Sequence, residues 1–375
     1  MIMLKRIISL ITYSFSILLT LGFLVLILTG NNTSELSASA AVRNYGIADR
    51  YDNYITNTIS SAVEGFIDIE KVYLLSDNDQ IAPEPIQSNF GKTNDPASLQ
   101  WLIRAAHLQM DGQDMLFCTE TPILRNSEIN YYLDDTIFAA TWKQEIHNVV
   151  YTISEVKIAH PSQFRRFLSG GAFGSERQFL TSQMASSVNA VVASAGDFYK
   201  FRLDGIVVYN GQVERFNDSD LDTCLIDDQG NLIFIKANEF QTRDDFQNYV
   251  DAHNIRFSLC FGPILVQDGK TCEPSSYLLG EINEKYARSA LCQLGPLHYA
   301  LITANGEDIY YSFPTIHTFA KVLSELGIET AYTLDGGQTA TIVMNDEIIN
   351  QVSYGAERYI SDIIYFATAL PDSNE

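Results

Sequence analysis

The sequence predicts an α+β chain of mixed and antiparallel sheets with several helices, preceded by one N-terminal transmembrane helix. Three observations carry this expectation. Residues Ile7 to Leu28 run without a charge. From Val149 on, hairpin signals such as Asn210-Gly211 and Asn345-Asp346 mix with scattered helical patterns, unlike the regular alternation of a doubly wound parallel sheet. Hydrophobic residues make up 46% of the chain and charged residues 19%, enough apolar surface for a sizeable core and too much for a disordered chain.

The N-terminal run sets the expected topology. A helix of about 20 residues crosses the ~30 Å hydrocarbon layer. Lys5 and Arg6 precede the run and the next charge is Glu35, so the positive-inside rule puts the N-terminus in the cytoplasm and the rest outside. Residues 1–28 are thus expected to be a cytoplasmic stub and signal anchor, with membrane contact through residues 7–28 and a single-pass protein whose C-terminal domain is extracellular. Residues 29–44 are small and polar and suit a stalk. Residues 45–148 carry no chemistry-bearing motif and suit a membrane-proximal accessory region. In it, Asp95-Pro96 followed by Leu99, Leu102, Ile103, Ala106 and Met110 combines an N-cap, a proline at the first helical position and helical spacing.

From Val149 the elements follow in order. Val149–Ile158 reads as a strand, Pro161–Leu168 as a short helix started by proline, and Arg177–Val188 as a second helix. Ala190–Ser194 is a short apolar strand running to Gly196. Gly205–Val213 folds at Asn210-Gly211, and Thr223–Ile235 folds back at Asp228–Asn231. Thr242 with Asp245 caps a helix bearing Phe246, Tyr249 and Val250 on one face. Phe257–Val266 and Leu297–Ala304 are apolar strands. Pro314–Leu326 places Ile316, Phe319, Ala320, Leu323 and Leu326 on one helix face, stopped by Gly327. Ile328–Leu334, a hairpin over Thr341–Ile348 and a last strand within Tyr359–Thr368 complete the domain.

The charge balance narrows the partners. With 24 Lys and Arg against 46 Asp and Glu, the net charge is −22, which disfavours nucleic acid and anionic lipid surfaces. Screening over about 8 Å still lets a local arginine cluster hold an anion inside a cleft. The five cysteines show no framework spacing, so buried free thiols are expected over a Cys260–Cys272 bridge. No C-x-x-C or H-x-x-x-H pattern marks a structural metal site; no cofactor is expected, and a divalent cation is left open. G-x-S-x-G, Walker A and dinucleotide-binding fingerprints are absent.

Chemistry concentrates in four places. Leu334-Asp335-Gly336-Gly337-Gln338-Thr339-Ala340-Thr341 sets a carboxylate at a strand end before two glycines and two hydroxyls, either an anion-binding nest or an ordinary turn. Gly196-Asp197-Phe198-Tyr199-Lys200-Phe201-Arg202 joins an acid, cations and aromatics, which suit a sugar ring and an anion, although taken alone such a stretch is more often a solvated loop over core phenylalanines. Arg288 lies in Tyr286-Ala287-Arg288-Ser289-Ala290, and Arg358 follows Glu357; a lone arginine is more often a surface cation. His298 suits a satisfied core histidine.

The order of these pieces resembles the phosphodiester glycosidase domain, the domain of the enzyme that uncovers mannose 6-phosphate and of bacterial exopolysaccharide-biosynthesis-related proteins. The resemblance runs over residues 149–370. It rests on Ala190-Val191-Val192-Ala193 leading into Gly196-Asp197-Phe198-Tyr199, then on Gly205-Ile206-Val207, Phe261-Gly262-Pro263 with Asp268-Gly269, and Ala287-Arg288-Ser289-Ala290. It ends with Leu334-Asp335-Gly336-Gly337, Thr339, Thr341, and Glu357-Arg358 with Ser361-Asp362. Ala195 stands where that family typically has Asn, and Gln338-Thr339-Ala340 where it has Gly-Ser-Ser. The resemblance implies cleavage of the sugar C1–O bond of a sugar-1-phosphodiester, with a cell-envelope or exopolysaccharide glycan as substrate. It implies Asp197, Asp335 and Arg288 as catalytic residues, either acid serving as base or nucleophile. Tyr199, Arg202, Gly336, Gly337, Thr339, Thr341 and Arg358 would then hold substrate and phosphate. A non-hydrolytic phosphoglycan-binding ectodomain and a partner-recruiting scaffold are the alternatives.

Overall fold

The computed structural model describes residues 81–95, 128–217, 221–272, 283–306 and 312–370. The expected anchor at 7–28, the stalk, the helix after Asp95 and Cys118 lie outside the described residues. Contacts divide the chain into Met1–Asp49 and Arg50–Glu375, and everything described belongs to the second unit. Among the described residues no helix is long and apolar enough to cross a membrane.

The chain first builds a meander: β1 (Phe90–Thr93), β2 (Ile129–Leu133), β3 (Ile137–Ile146) and β4 (Val149–Ile158), each antiparallel to the next. β3 and β4 pair over their whole lengths about His147 and Asn148, both at positive φ, so Val149 opens the second arm of a hairpin. Pro161–Leu168 differs from the helix expected there. His160 caps a single 3₁₀ turn, Pro161–Gln163, and the chain straightens into β5 (Phe164–Leu168). Pairing with the last strand outweighs the local helix-start chemistry and turns Arg166 inward.

The helix expected over 177–188 is shorter, α1 (Thr181–Ser187), and leads to β6 (Val192–Ala195). β7 (Val207–Tyr209) and β8 (Gln212–Arg215) turn at Asn210-Gly211, with φ of 49° and 76°, as a primed turn requires. β9 (Thr223–Asp227) and β10 (Leu232–Ile235) form the next hairpin, and α2 (Arg243–Ala252) starts with the Thr242 hydroxyl accepting from Asp245 N–H at 3.1 Å. The long strand expected over 257–266 is two, β11 (Ile255–Leu259) and β12 (Ile264–Gln267). Between them the backbone of Cys260 is engaged by Asp197 and Arg202 instead of a neighbouring strand, and Gly262–Pro263 is cis. β13 (Lys270–Thr271), β14 (Arg288–Gly295), β15 (His298–Asn305), α3 (Ile316–Glu325), β16 (Thr330–Leu334), β17 (Ile342–Met344), β18 (Glu347–Ile348) and β19 (Asp362–Phe366) follow.

Three sheets result, antiparallel at every described pairing. The large one has the order β1-β2-β3-β4-β15-β14-β16-β12-β13, and two five-stranded sheets run β10-β9-β11-β7-β8 and β18-β17-β6-β19-β5. One apolar cluster draws residues from all three. Phe164 stands at the junction, its ring 4.9 Å from Tyr299 of the large sheet, 5.5 Å from Phe257 of one small sheet and 4.8 Å from Phe366 of its own. His298 is the satisfied core histidine expected, paired at 2.8 Å with the buried carboxylate of Glu155. Cys224, Cys260, Cys272 and Cys292 are free thiols, with no Cys260–Cys272 bridge.

Candidate active site

The large sheet and the sheet β18-β17-β6-β19-β5 bring the end of β6, the start of β14, the end of β16 and the loop before β19 together. Asp335 N–H donates to Gly196 C=O at 2.9 Å, and Gly337 N–H donates to Ala287 C=O at 2.7 Å. Two backbone bonds thus tie Asp197, Arg288 and Asp335 into one corner, and Arg358 Nη2 closes it by donating to Asp335 Oδ2 at 2.9 Å. A Cβ on Gly336 would lie 2.7 Å from Ala287 O, so the turn after Asp335 reaches this position only as glycine. Gly337 is at φ 62°.

The two aspartates occupy different environments. Asp197 is sealed in: Oδ1 accepts from Phe198 N–H at 2.6 Å and Oδ2 from Cys260 N–H at 2.7 Å, with Arg166 and Arg202 each 3.6 Å away. Asp335 is nearly buried at the bottom of the corner, and its partner Arg358 keeps 40% of its side chain exposed. Burial pushes the Asp335 carboxyl up to about 6, against the opposing pull of Arg358 and Thr339 and with the help of the Asp197 charge. A carboxyl titrating near neutrality beside an open arginine is suited to proton transfer.

The other expected residues divide between surface and support. Arg358 lies over the rings of Phe198 at 5.2 Å and Phe201 at 5.9 Å, and its buried Nε makes no hydrogen bond. Arg288 is nearly buried, donates to Glu284 C=O at 2.8 Å and lies over Tyr286. Thr339 donates its hydroxyl to Gly336 C=O at 2.7 Å, and Thr341 is fully buried with no hydrogen-bond partner for its hydroxyl. Tyr199 and Arg202 lie behind the site instead of at its mouth. Tyr199 stacks on Phe173 at 5.7 Å under the Arg166 guanidinium, and Arg202 joins Asp197 to Cys260 C=O.

Two further charged residues, Arg166 and Asp362, hold the corner together. The Arg166 side chain is fully buried, donates to Asp362 Oδ2 and Ser258 C=O, and stands between Asp362 and Asp197. Asp362 accepts from Asp197 N–H at 2.6 Å, and burial raises its carboxyl pKa against the pull of Arg166. A Cβ on Gly196 would lie 2.9 Å from Asp362 Oδ1, which accounts for glycine there. Ser361-Asp362 is part of the sequence resemblance, whereas Arg166 carries no sequence signal: it falls in a segment with helix-start chemistry. Among the described residues no group of three His, Cys, Asp or Glu is arranged to hold a metal ion.

Residues 188–367 match the family model described as phosphodiester glycosidase. SPbeta prophage-derived protein YomE of Bacillus subtilis is 23% identical over 208 residues, covering 54% of this chain and 31% of that protein. The match thus spans about a third of its relative's length. Among solved structures, the catalytic domain of zebrafish N-acetylglucosamine-1-phosphodiester α-N-acetylglucosaminidase, auto-inhibited by pro-peptide, is 18% identical with a TM-score of 0.48, over 66% of this chain and 85% of that one. A hypothetical protein from Synechocystis is 13% identical with a TM-score of 0.44, over 63% of each chain. Asp197, Arg288, Asp335 and Arg358, gathered in one corner, all lie within the matched segment, and over residues 188–367 this chain carries a domain of the phosphodiester glycosidase family.

Proposed function

We propose that the domain hydrolyses the C1–O bond of a sugar-1-phosphodiester, and that the protein does so outside the cell, anchored through residues 7–28, on envelope or exopolysaccharide glycans. The observation that carries the catalytic reading is the pairing of Asp335, raised to about 6, with the half-open Arg358 beside the Gly336-Gly337 turn. Asp335 takes the proton of a water that attacks C1. The C1–O bond breaks with its electron pair going to the phosphate oxygen, giving a free sugar and a phosphate monoester. The phosphate is a good leaving group and needs little protonation, so one ionised carboxylate suffices where ordinary glycosides need an acid as well. Arg358, whose side chain is 40% exposed, receives the phosphate; Arg288 backs it, and guanidinium geometry suits two phosphate oxygens at once. Asp197 holds the backbone of Phe198 and Cys260 in place.

Ala195 and Ala340 are both fully buried, Ala195 within an apolar cluster with Val343, Ile360 and Ile363. Among the other departures from the family pattern, Thr339 keeps a hydroxyl at the turn and Gln338 donates to Ala356 C=O. The test is release of free sugar from a sugar-1-phosphodiester by the wild-type chain and by Asp335→Asn. The substitution keeps shape and removes charge, and kcat falls by at least ~10²-fold. Wild-type turnover surviving in a folded Asp335→Asn protein moves the base elsewhere. Binding of sugar phosphate with no turnover by the wild type marks the domain as a phosphoglycan binder.

A further inference from the structure

Next to the glycine turn stands a segment that the reaction as written does not use. Ser353–Gly355 forms a 3₁₀ turn that packs against the turn Gly337–Thr339, and Gln338 Nε2 donates to Ala356 C=O at 2.7 Å. Within it Tyr354 adopts φ 62° and ψ 12°, a left-handed conformation that costs a residue with a bulky side chain on the order of 1–3 kcal/mol. Its side chain gains nothing from burial, since Tyr354 is 90% exposed. The residues that follow it are anchored. Glu357 accepts from Ser182 N–H at 3.0 Å and from Ser182 Oγ at 2.5 Å, and Arg358 reaches Asp335. An exposed aromatic side chain therefore stands on the loop that also supplies Arg358.

We propose that Tyr354 is the stacking platform for the sugar ring of the substrate, a specificity-determining residue that binds the C–H face of a pyranose while Arg358 holds its phosphate. This rests on the hydrolase site described above, but it concerns binding and is separable from turnover. A planar ring offers an apolar face with few rotatable bonds, and a pyranose presents a matching flat patch of C–H groups. Phe198 and Phe201 lie beneath Arg358. Tyr354 does not touch the reacting atoms, so it contributes equally to ground-state and transition-state binding.

The test compares ligands with and without the ring on the full chain. Binding of glucose 1-phosphate and of inorganic phosphate is measured by calorimetry for the wild type, Tyr354→Ala, Tyr354→Phe and Tyr354→Trp. Tyr354→Ala weakens glucose 1-phosphate about three- to tenfold, the range for an aromatic contact, and leaves inorganic phosphate unchanged. Tyr354→Phe behaves as wild type and Tyr354→Trp binds at least as tightly. With a sugar-1-phosphodiester substrate, Tyr354→Ala raises KM by the same factor at unchanged kcat. Equal loss for both ligands overturns the proposal, because the loop would then be placing Arg358; so does no loss for either. Sugar-selective loss on binding with no turnover by the wild type sinks the hydrolase reading and leaves the platform standing. Failure of the wild type to bind glucose 1-phosphate overturns the platform, whereas the hydrolase reading stands or falls on turnover of the sugar-1-phosphodiester.

Discussion

At the scale of single residues, the site is decided by what surrounds two carboxylates. Asp197 is solvated by fixed backbone donors, whereas Asp335 is buried with one partly exposed cation. The pH behaviour follows from the second. Asp335 moves from an ordinary 3.8 to about 6 in the fold, so the folded state favours its protonated form. Its contribution to stability is fully present below about 3.8 and is lost as pH rises through about 6. Asp335→Asn removes that loss: its stability at pH 8 exceeds the wild type's by on the order of 1–3 kcal/mol, read as a higher melting temperature, and the gap closes at pH 4. Activity has the opposite sign, because the base works ionised; kcat/KM rises through about pH 6 and levels above it. A rate that falls above pH 6 would make Asp335 the acid. Arg166 gives a purely structural prediction. Arg166→Ala leaves Asp362 and the Arg166-facing side of Asp197 uncompensated in the interior and destabilises the protein by about 3–5 kcal/mol in chemical denaturation.

At the scale of elements, the turns place the chemistry. The backbone of Ala287 accepts from Gly337, and Gly336 passes too close to it for any side chain. Gly336→Ala therefore displaces the turn that carries Asp335, and turnover drops by about 10²-fold while circular dichroism stays that of the wild type. Activity retained in that variant would separate the turn from the site. Much of this level was legible in the sequence. Asn210-Gly211, Asp228–Asn231 and Asn345-Asp346 mark hairpins through residues that accept positive φ, and the Thr242 cap and Gly327 stop bound helices through local chemistry. The misses share one cause. Phe164–Leu168 becomes a strand because β19 pairs with it, and Cys260–Pro263 breaks a strand because Asp197 and Arg202 engage its backbone. Both depend on partners distant in the chain, which no local pattern encodes. Arg166, unlike Asp335, has no turn chemistry beside it, so its role emerges only when β5 and β19 meet.

At the scale of the whole molecule, the core and the site are built by the same packing. Phe164 joins all three sheets, and Asp362, Arg166 and Asp197 lie on or just beyond the strands that those sheets bring together. Phe164→Ala costs about 3–5 kcal/mol by opening a cavity at the junction, read as a lower denaturation midpoint. The body is acidic, with 46 acids against 24 Lys and Arg, and the corner concentrates arginine within it. The contrast suits an anionic ligand that is captured locally and not steered from afar. The central claim is that water attacks the sugar carbon and not phosphorus. Hydrolysis of a sugar-1-phosphodiester in ¹⁸O-labelled water, followed by mass spectrometry of the released phosphate monoester, tests it directly. Cleavage at C1–O leaves that phosphate unlabelled; one labelled oxygen in it would show attack at phosphorus and contradict the account.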